Sequence, residues 1–207
     1  DRLGTSLPAG RVDGDFDFVP DLVIGAPGSL TGQTGRAVIA YGGSPLGARA
    51  LRSVWGTAAD GRYGWAVAVL KYGAPFIHVV VGAPGASGGT GEVHALAPGD
   101  PPTETFVLTG FSAGEKFGYA VADAGAPHGY LNPEFLVGAP ESSDGAPAAG
   151  RLAWFSWDQS RKQWLSGGES GTTAGERLGW SIAGGHDTNP NYFEPSDDLA
   201  VGAPGAY

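Results

Sequence analysis

Four aspartates near the start of the chain have the types and spacing of ligands for a hard cation. Asp13, Asp15, Asp17 and Asp21 occupy relative positions 1, 3, 5 and 9 of one short acidic stretch. A loop that curls around an ion points every second side chain inward, and Ca²⁺ takes about six to eight oxygen ligands from carboxylates, carbonyls and water. A solvated acidic turn before a strand has the same spacing. The stretch therefore has two interpretations, a calcium loop and a plain acidic turn.

The aspartates lead into an apolar run that ends in Gly-Ala-Pro, and this pattern occurs four times. The glycines of the four copies lie 57, 56 and 64 residues apart: Gly25, Gly82, Gly138 and Gly202. A second motif, a glycine after a leucine or an aromatic residue, precedes each copy at intervals of 60, 54 and 61 residues: Gly4, Gly64, Gly118 and Gly179. Two signatures with one period predict four repeats of one structural unit. Their expected bounds are 1–60, 61–114, 115–175 and 176–207.

Each complete repeat contains four short apolar runs separated by turn residues. In the second repeat the predicted strands are 65–70, 76–82, 91–96 and 104–108. The first repeat adds strands at 36–41 and 51–55, and the third at 151–157 and 163–165. The 37 Gly and 16 Pro favour tight turns, and no segment keeps a helical period. Radially repeated four-stranded units predict an all-β fold of the β-propeller type.

The paired motifs and the acidic loop between them resemble the FG-GAP repeat, which builds the N-terminal β-propeller of integrin α subunits. The resemblance covers the whole chain as a single propeller region, and it implies blades with calcium in some of the loops between their first two strands. Carried over residue by residue, Asp13, Asp15, Asp17 and Asp21 would ligate through side chains and Val19 through its carbonyl. The departure is Phe18, which stands where the family pattern has glycine.

The loop of the fourth repeat is a weaker candidate for metal binding. Asp187, Asn189 and Asn191 keep the alternation, but extra residues delay the closing Asp198. A remodelled calcium site and a polar turn built from Asn and Asp remain the two interpretations, and the turn is favoured. The loops of the second and third repeats lack the acidic pattern, so no metal is expected there.

Charge and composition narrow the partners. The formal net charge of −9 disfavours nucleic acid and anionic membranes. Cysteine is absent, and no apolar run reaches the length of a membrane span, so no direct membrane insertion is expected. The chain also lacks methionine. We expect a processed product or a piece of something longer, and the resemblance implies an extracellular or cell-surface location.

Three aromatic residues occupy one repeat position, directly after the glycine of the first motif. They are Trp65, Tyr119 and Trp180, with Thr5 in the first repeat. Equivalent positions recur around a propeller axis, so the rings could surround a ligand. Packing between blades is the favoured interpretation. The four histidines fall at unrelated places in the repeats, and we expect them to be packed or surface residues.

The repeat pattern predicts three complete blades and only the inner hairpin of a fourth. An unpaired strand edge promotes association. We therefore expect the region to belong to a larger or composite propeller, as part of an oligomer or completed by another chain segment.

Two functions follow from the sequence. The favoured one is a non-enzymatic, calcium-stabilised module for adhesion that binds a protein or glycan partner. The alternative is an enzyme, or a propeller associated with one, with a ligand pocket at the axis.

Overall fold

The structure is a computed structural model that describes residues 2–13, 19–28, 31–43, 51–70, 79–97, 99–125, 134–158, 163–186 and 198–206. Within these residues the chain forms fourteen β-strands and one single-turn 3₁₀ helix. The strands are β1 (Ala9–Gly10), β2 (Asp21–Ala26), β3 (Arg36–Ala40), β4 (Arg52–Trp55), β5 (Ala66–Val69), β6 (Val79–Ala83), β7 (Glu92–Ala97), β8 (Thr103–Thr109), β9 (Ala120–Gly125), β10 (Glu134–Ala139), β11 (Arg151–Asp158), β12 (Gln163–Ser170), β13 (Ser181–His186) and β14 (Asp198–Gly202).

The strands form three four-stranded antiparallel sheets and one two-stranded antiparallel sheet. Sheet 1 contains β1 to β4, sheet 2 contains β5 to β8, sheet 3 contains β9 to β12, and sheet 4 contains β13 and β14. Each four-stranded sheet is a meander in which consecutive strands pair. The first strands lie side by side, because β5 contacts both β2 and β9, and β9 contacts β13. The prediction of an all-β fold is confirmed, and the succession of sheets is propeller-like.

The hydrophobic core lies between neighbouring sheets. One cluster joins sheets 1 and 2 and includes Val23, Ile39 and Val81. A second joins sheets 2 and 3, where the ring of the fully buried Phe117 meets that of Phe155 edge to face with centroids 6.1 Å apart. Because the middle strands are covered on both faces, their side chains are apolar at consecutive positions. All residues of β6 and β10 are buried, as the sequence predicts.

The two glycine motifs interlock within and between repeats. Inside one repeat, the amide of Gly64 donates a hydrogen bond of 3.1 Å to the carbonyl of Gly82. Between repeats, a side chain on Gly82 would collide with the carbonyl oxygen of Gly118. Gly25 meets Gly64 and Gly138 meets Gly179 in the same way. The backbones of the two motifs contact each other within each repeat and again between one repeat and the next. This is why the two motifs recur with the same period.

One strand is longer than the sequence predicts. The sequence predicts that the last strand of the third repeat spans 163–165, whereas β12 continues to Ser170. Gly167 lies opposite Trp154 in register, and a Cβ on Gly167 would overlap the indole ring. The glycine therefore makes room for the tryptophan ring and does not mark a turn.

Sheet 4 differs from the others in burial. Leu199 of β14 is 42% exposed, whereas the corresponding Phe135 of β10 is fully buried. Alternate residues of β13 are also exposed. The fourth sheet therefore has an uncovered apolar surface where its neighbours have a core.

Candidate functional site

A tight turn before the first strand of each sheet positions the aromatic residues. The amide of Trp65 donates to the carbonyl of Arg62 at 3.0 Å and to that of Gly82 at 3.2 Å. Tyr119 makes the same pair of bonds to Lys116 and Gly138. Trp180 repeats the arrangement in the fourth repeat. The turn and its anchor on the Gly-Ala-Pro strand thus fix the residue after the glycine at the same place in three successive repeats.

The aromatic rings form a continuous row. The centroids of Trp65 and Tyr119 are 5.4 Å apart with the planes tilted by 47°, and those of Tyr119 and Trp180 are 4.9 Å apart with a tilt of 43°. Each ring belongs to a different repeat, so the row crosses from one sheet to the next. The rings do pack across sheets, as the sequence favours. They also remain accessible, since Trp65 and Tyr119 are half-buried and Trp180 is 37% exposed.

This row lines a cavity of about 1240 Å³ on the face formed by the turns and the Gly-Ala-Pro segments. Residues from all four repeats contribute to its wall. They include Arg2, Arg62, Trp65, Lys116, Tyr119 and Trp180. Ligand sites for small molecules are typically about 300–1,000 Å³ and lined by aromatic groups with a few convergent polar ones. The cavity is large enough for a ligand of several linked rings.

Basic side chains accompany the aromatic row, and sequence reasoning missed them. Arg2, Arg62, Lys116 and Arg177 each stand three residues before the ring position, including Thr5 in the first repeat. The guanidinium carbons of Arg62 and Arg177 lie 5.4 Å from the ring centroids of Trp65 and Trp180. The signal was present in the sequence, because the four residues follow the same 60-, 54- and 61-residue spacing as the glycine motif.

Three of these basic residues adopt a backbone conformation that favours glycine. The φ angles are 57° for Arg62, 62° for Lys116 and 59° for Arg177. A side chain in the left-handed region costs about 1 kcal/mol relative to the usual conformation. Such strain is concentrated at functional sites when the surrounding structure enforces it. Basic residues therefore occupy the same position in these three repeats, although glycine would be less strained there.

Carboxylates of the cavity wall are already engaged. Asp60 accepts a hydrogen bond of 2.6 Å from the amide of Gly32. A Glu141 oxygen lies 3.7 Å from Nε of Arg177. Burial raises the pKa of the Tyr119 hydroxyl, Glu141 raises it further, and the charges of Arg62 and Arg177 oppose this shift. The Tyr119 hydroxyl, in the middle of the aromatic row, therefore lies near charges of both signs.

The acidic loop near the start of the chain is described only at its ends. Asp13 is half-buried and Asp21 is 2% exposed. The amide of Asp13 donates a bond of 3.3 Å to Oδ2 of Asp21, so the first and last predicted ligands lie together. Val19 is 38% exposed. Asp15, Asp17 and Phe18 lie outside the described residues.

Asp21 organises the backbone around it. Its Oδ2 accepts bonds from the amides of Val12 at 2.7 Å and Asp13 at 3.3 Å, and its Oδ1 accepts one from Gly42 at 2.8 Å. A carboxylate offers about four lone-pair positions in all. Among the described residues, these three amides use three of the positions, and both oxygens of Asp21 are engaged. A cation bound by Asp21 would therefore share its carboxylate with these amides.

The weaker metal candidate falls largely outside the described part. Asp187, Asn189 and Asn191 are not among the described residues. Asp198 begins β14, and its backbone pairs with that of His186. Among the described residues, no group of three or more His, Cys, Asp or Glu side chains is placed to hold a metal ion. Asp15 and Asp17 are not among these residues.

Two ionisable groups are buried close to the cavity-forming turns. His94 is 6% exposed in β7, with Nδ1 2.6 Å from a Glu104 oxygen, which agrees with its prediction as a packed histidine. Glu115 precedes Lys116 and is 1% exposed. Burial raises the pKa of Glu115, Asp144 adds to this shift, and hydrogen bonds from the amides of Phe111 and Ser112 and the charge of Arg151 oppose it.

The chain matches no protein-family model and no curated protein. Across the described residues, no helix has the length and apolar character that crossing a membrane would require.

Proposed function

We propose that this chain is a propeller-type binding module, non-enzymatic and stabilised by calcium, that holds a glycan or protein partner in the axial cavity. The observation that carries the proposal is the convergence of aromatic and basic side chains from successive repeats on one cavity. Aromatic groups supply large contact area at low entropic cost, and arginine supplies oriented donors. Both residue types are enriched where binding energy is concentrated.

The FG-GAP resemblance supports the same proposal. The family's two motifs interlock here through the contacts of Gly25 with Gly64 and of Gly82 with Gly118. In this assignment the sheets are blades, and the region functions extracellularly or at the cell surface in adhesion. A fold by itself is a weak guide to function, so the cavity carries the argument for binding.

Calcium in the first hairpin loop is part of the proposal. Asp13, Asp15 and Asp17 would repel one another in a tight loop until a divalent ion neutralises them. Asp21 supports this by its position, since its carboxylate accepts hydrogen bonds from the amide of Val12, just before the loop, and from that of Gly42, after β3. The ion's role would be to stiffen the loop rather than to act on substrate.

The calcium site is tested by thermal unfolding in calcium chloride and in EDTA. A ligand that binds only the native state raises the unfolding midpoint, so we expect a higher midpoint with calcium. The double variant D15N/D17N should lose this difference, while D187N, in the loop where a polar turn is favoured, should keep it. Equal midpoints of the wild type in both buffers would contradict calcium stabilisation.

Binding is tested on an array of immobilised neutral and acidic oligosaccharides, collagen and fibronectin. We expect wild-type protein to bind at least one of these, and W65A or W180A to reduce the signal about tenfold or more. W55A is the matched control, because Trp55 is 58% exposed on β4 and does not line the cavity. Binding that W55A weakens as much as W65A would move the site away from the cavity.

The cavity also favours a second candidate, an enzyme or enzyme-associated propeller with its ligand pocket at the axis. Convergent polar groups in a large cavity are the default features of an active site. The discriminating measurement is mass spectrometry of array ligands incubated with the protein. Product formation that W65A abolishes would favour the enzyme, and unchanged ligands would favour the binding module.

The exposed surface of sheet 4 supports association with further chain. Leu199 would be covered if another chain segment completed the sheet. Native mass spectrometry of the protein tests this, with a dimer or larger species as the expected result. L199S should shift the protein toward monomer, whereas L51S, a change at a 62% exposed leucine just before β4, should have less effect.

A further inference from the structure

The cavity contains positive charge that is arranged to receive a carboxylate. The guanidinium carbons of Arg62 and Arg177 lie over tryptophan rings, 5.4 Å from the ring centroids, so both cations are held beside the aromatic row. The planar edge of a guanidinium group binds a carboxylate through paired hydrogen bonds. Arg177 is shared with Glu141, but within the part of the chain that the structure describes, Arg62 and Lys116 have no carboxylate partner.

The aromatic row provides a second, neutral kind of contact. Three rings follow one another at centroid distances of 5.4 and 4.9 Å, each inclined to the next by less than 50°. Such a row suits a ligand made of consecutive rings with apolar faces, as in an oligosaccharide, where C–H groups pack on the aromatic surface. Each repeat supplies one basic residue three positions before the ring position. The second, third and fourth repeats also supply an aromatic ring, whereas the first has Thr5 there.

The backbone of the wall is poorly suited to an extended peptide. Peptides that add to a protein edge bind through free main-chain groups. Here the amide of Gly85 already donates to Gly61 at 3.0 Å, that of Lys116 to Gly89 at 3.2 Å, and that of Glu141 to Glu115 at 3.2 Å. Recognition must therefore come from side chains, which favours a glycan over an extended acidic peptide.

Overall charge limits how acidic the ligand can be. The chain carries −9, so a densely charged polyanion would be repelled at long range. At the cavity wall, however, three basic residues (Arg2, Arg62 and Lys116) accompany the two engaged carboxylates of Asp60 and Glu141, and Arg177 lies beside Trp180. This pattern fits a ligand whose negative charges are separated by neutral rings.

We propose that the cavity binds an acidic oligosaccharide in which carboxylated and neutral sugars alternate. The carboxylates pair with Arg62 and Lys116, and the sugar faces pack on Trp65, Tyr119 and Trp180. This assignment rests on the proposed function, since it names the ligand class of the same cavity.

The test compares a tetrasaccharide of alternating glucuronate and N-acetylglucosamine with the same molecule after its carboxylates are reduced to alcohols. Isothermal titration in calcium-containing buffer measures both, together with a tetraglutamate peptide and inorganic sulfate. We expect the carboxylated sugar to bind about tenfold or more tightly than the reduced sugar, the peptide or sulfate. The double variant R62Q/K116Q should remove that preference, and W65A should weaken both sugars.

R52Q is the control for loss of a basic side chain, because Arg52 pairs with Asp100 at 2.7 Å and does not line the cavity. Unfolding midpoints show whether each variant is folded, and the ligand pair tests the wild type without any variant. Equal binding of carboxylated and reduced sugars would overturn the acidic class but leave a glycan-binding module. Tighter binding of tetraglutamate would assign the cavity to acidic peptides. Binding of none of these probes overturns the inference, and the array then decides the proposed function separately.

Discussion

The two ends of the inner strands differ in what the repeats hold constant. At the cavity face, the turn before the first strand has a basic residue, a glycine and an aromatic residue in three of four repeats. At the opposite end, the loop between the first two strands has aspartates at alternate positions in the first repeat and unrelated residues in the second and third. The turn is held by backbone hydrogen bonds to the Gly-Ala-Pro strand of its own repeat and by close contact with the preceding repeat, whereas most of the hairpin loop lies outside the described residues.

This difference shows how a repeat protein separates scaffold from site. Where a glycine carbonyl of one repeat lies against a glycine of the preceding repeat, the backbone path has no room to vary, so the side chains that project from it recur in register from one sheet to the next. Such recurrence creates one large shared site. The alternating aspartates occur in the hairpin loop of the first repeat and not in those of the second and third, so a metal site there would belong to a single repeat.

The largest effect is expected for a substitution that disrupts the glycine contact between neighbouring repeats. G82A would place a methyl group against the backbone oxygen of Gly118, and neither backbone can move without separating two sheets. We expect a loss of about 3 kcal/mol in the free energy of unfolding, measured by urea titration. G88A is the control: Gly88 is exposed with φ of 69° and open space around it, so only about 1 kcal/mol of backbone strain applies. Equal losses would show that the glycine contact does not determine the packing of the sheets.

The next largest effect is expected at Asp21, beside the hairpin loop of the first repeat, and Asp60 at the cavity wall serves as the comparison. D21N in EDTA should cost about 2 kcal/mol, because an amide cannot accept all three backbone hydrogen bonds and would leave a buried donor or acceptor unpaired. D60N, at the cavity wall, should change the free energy of unfolding by about 0.5 kcal/mol or less. Asp60 is exposed and accepts one hydrogen bond from a backbone amide, which asparagine can also accept. Chemical denaturation measures both. A neutral D21N would mean that calcium alone organises the first loop.

A smaller effect of opposite sign is expected where side chain and backbone conflict. R62G removes a side chain from φ of 57° and should stabilise the protein by about 1 kcal/mol. The same change should abolish the preference for the carboxylated tetrasaccharide. Because R36G alters an arginine of a strand, it should destabilise and serves as the contrast. A destabilising R62G would indicate that the arginine is retained for folding rather than for binding.

The smallest effect appears in the pH dependence. Glu115 has one oxygen bonded to the amide of Phe111 and one without a partner among the described residues, whereas both oxygens of Asp21 accept hydrogen bonds. Since burial raises the pKa of Glu115, the folded protein holds this proton more strongly than the unfolded chain. Stability should therefore fall as pH rises from the ordinary glutamate pKa of about 4.3 up to the raised value. E115Q should remove this part of the slope in urea titrations between those pH values, whereas E176Q, at the equivalent but more accessible position, should not.

The sequence predicted more of the strand positions than of the cavity. Strand positions around Gly82 and Gly138 were predictable, because two motifs of the same period and runs of buried apolar residues leave few alternatives. The end of β12 was not, since Gly167 looks like a turn until Trp154 is seen to fill the space opposite it. Lengths of strands depend on such cross-strand pairs, which lie far apart in the chain.

The cavity shows the same division. The chain alone determined that Trp65, Tyr119 and Trp180 hold equivalent positions, and that a basic residue precedes each by three. Only the tertiary structure decided that the rings contact one another and that arginines lie over two of them. It also decided that the rings line a cavity of about 1240 Å³. The physical reason is that a repeat specifies its own backbone locally, whereas a site between repeats depends on the angle and spacing at which the sheets pack.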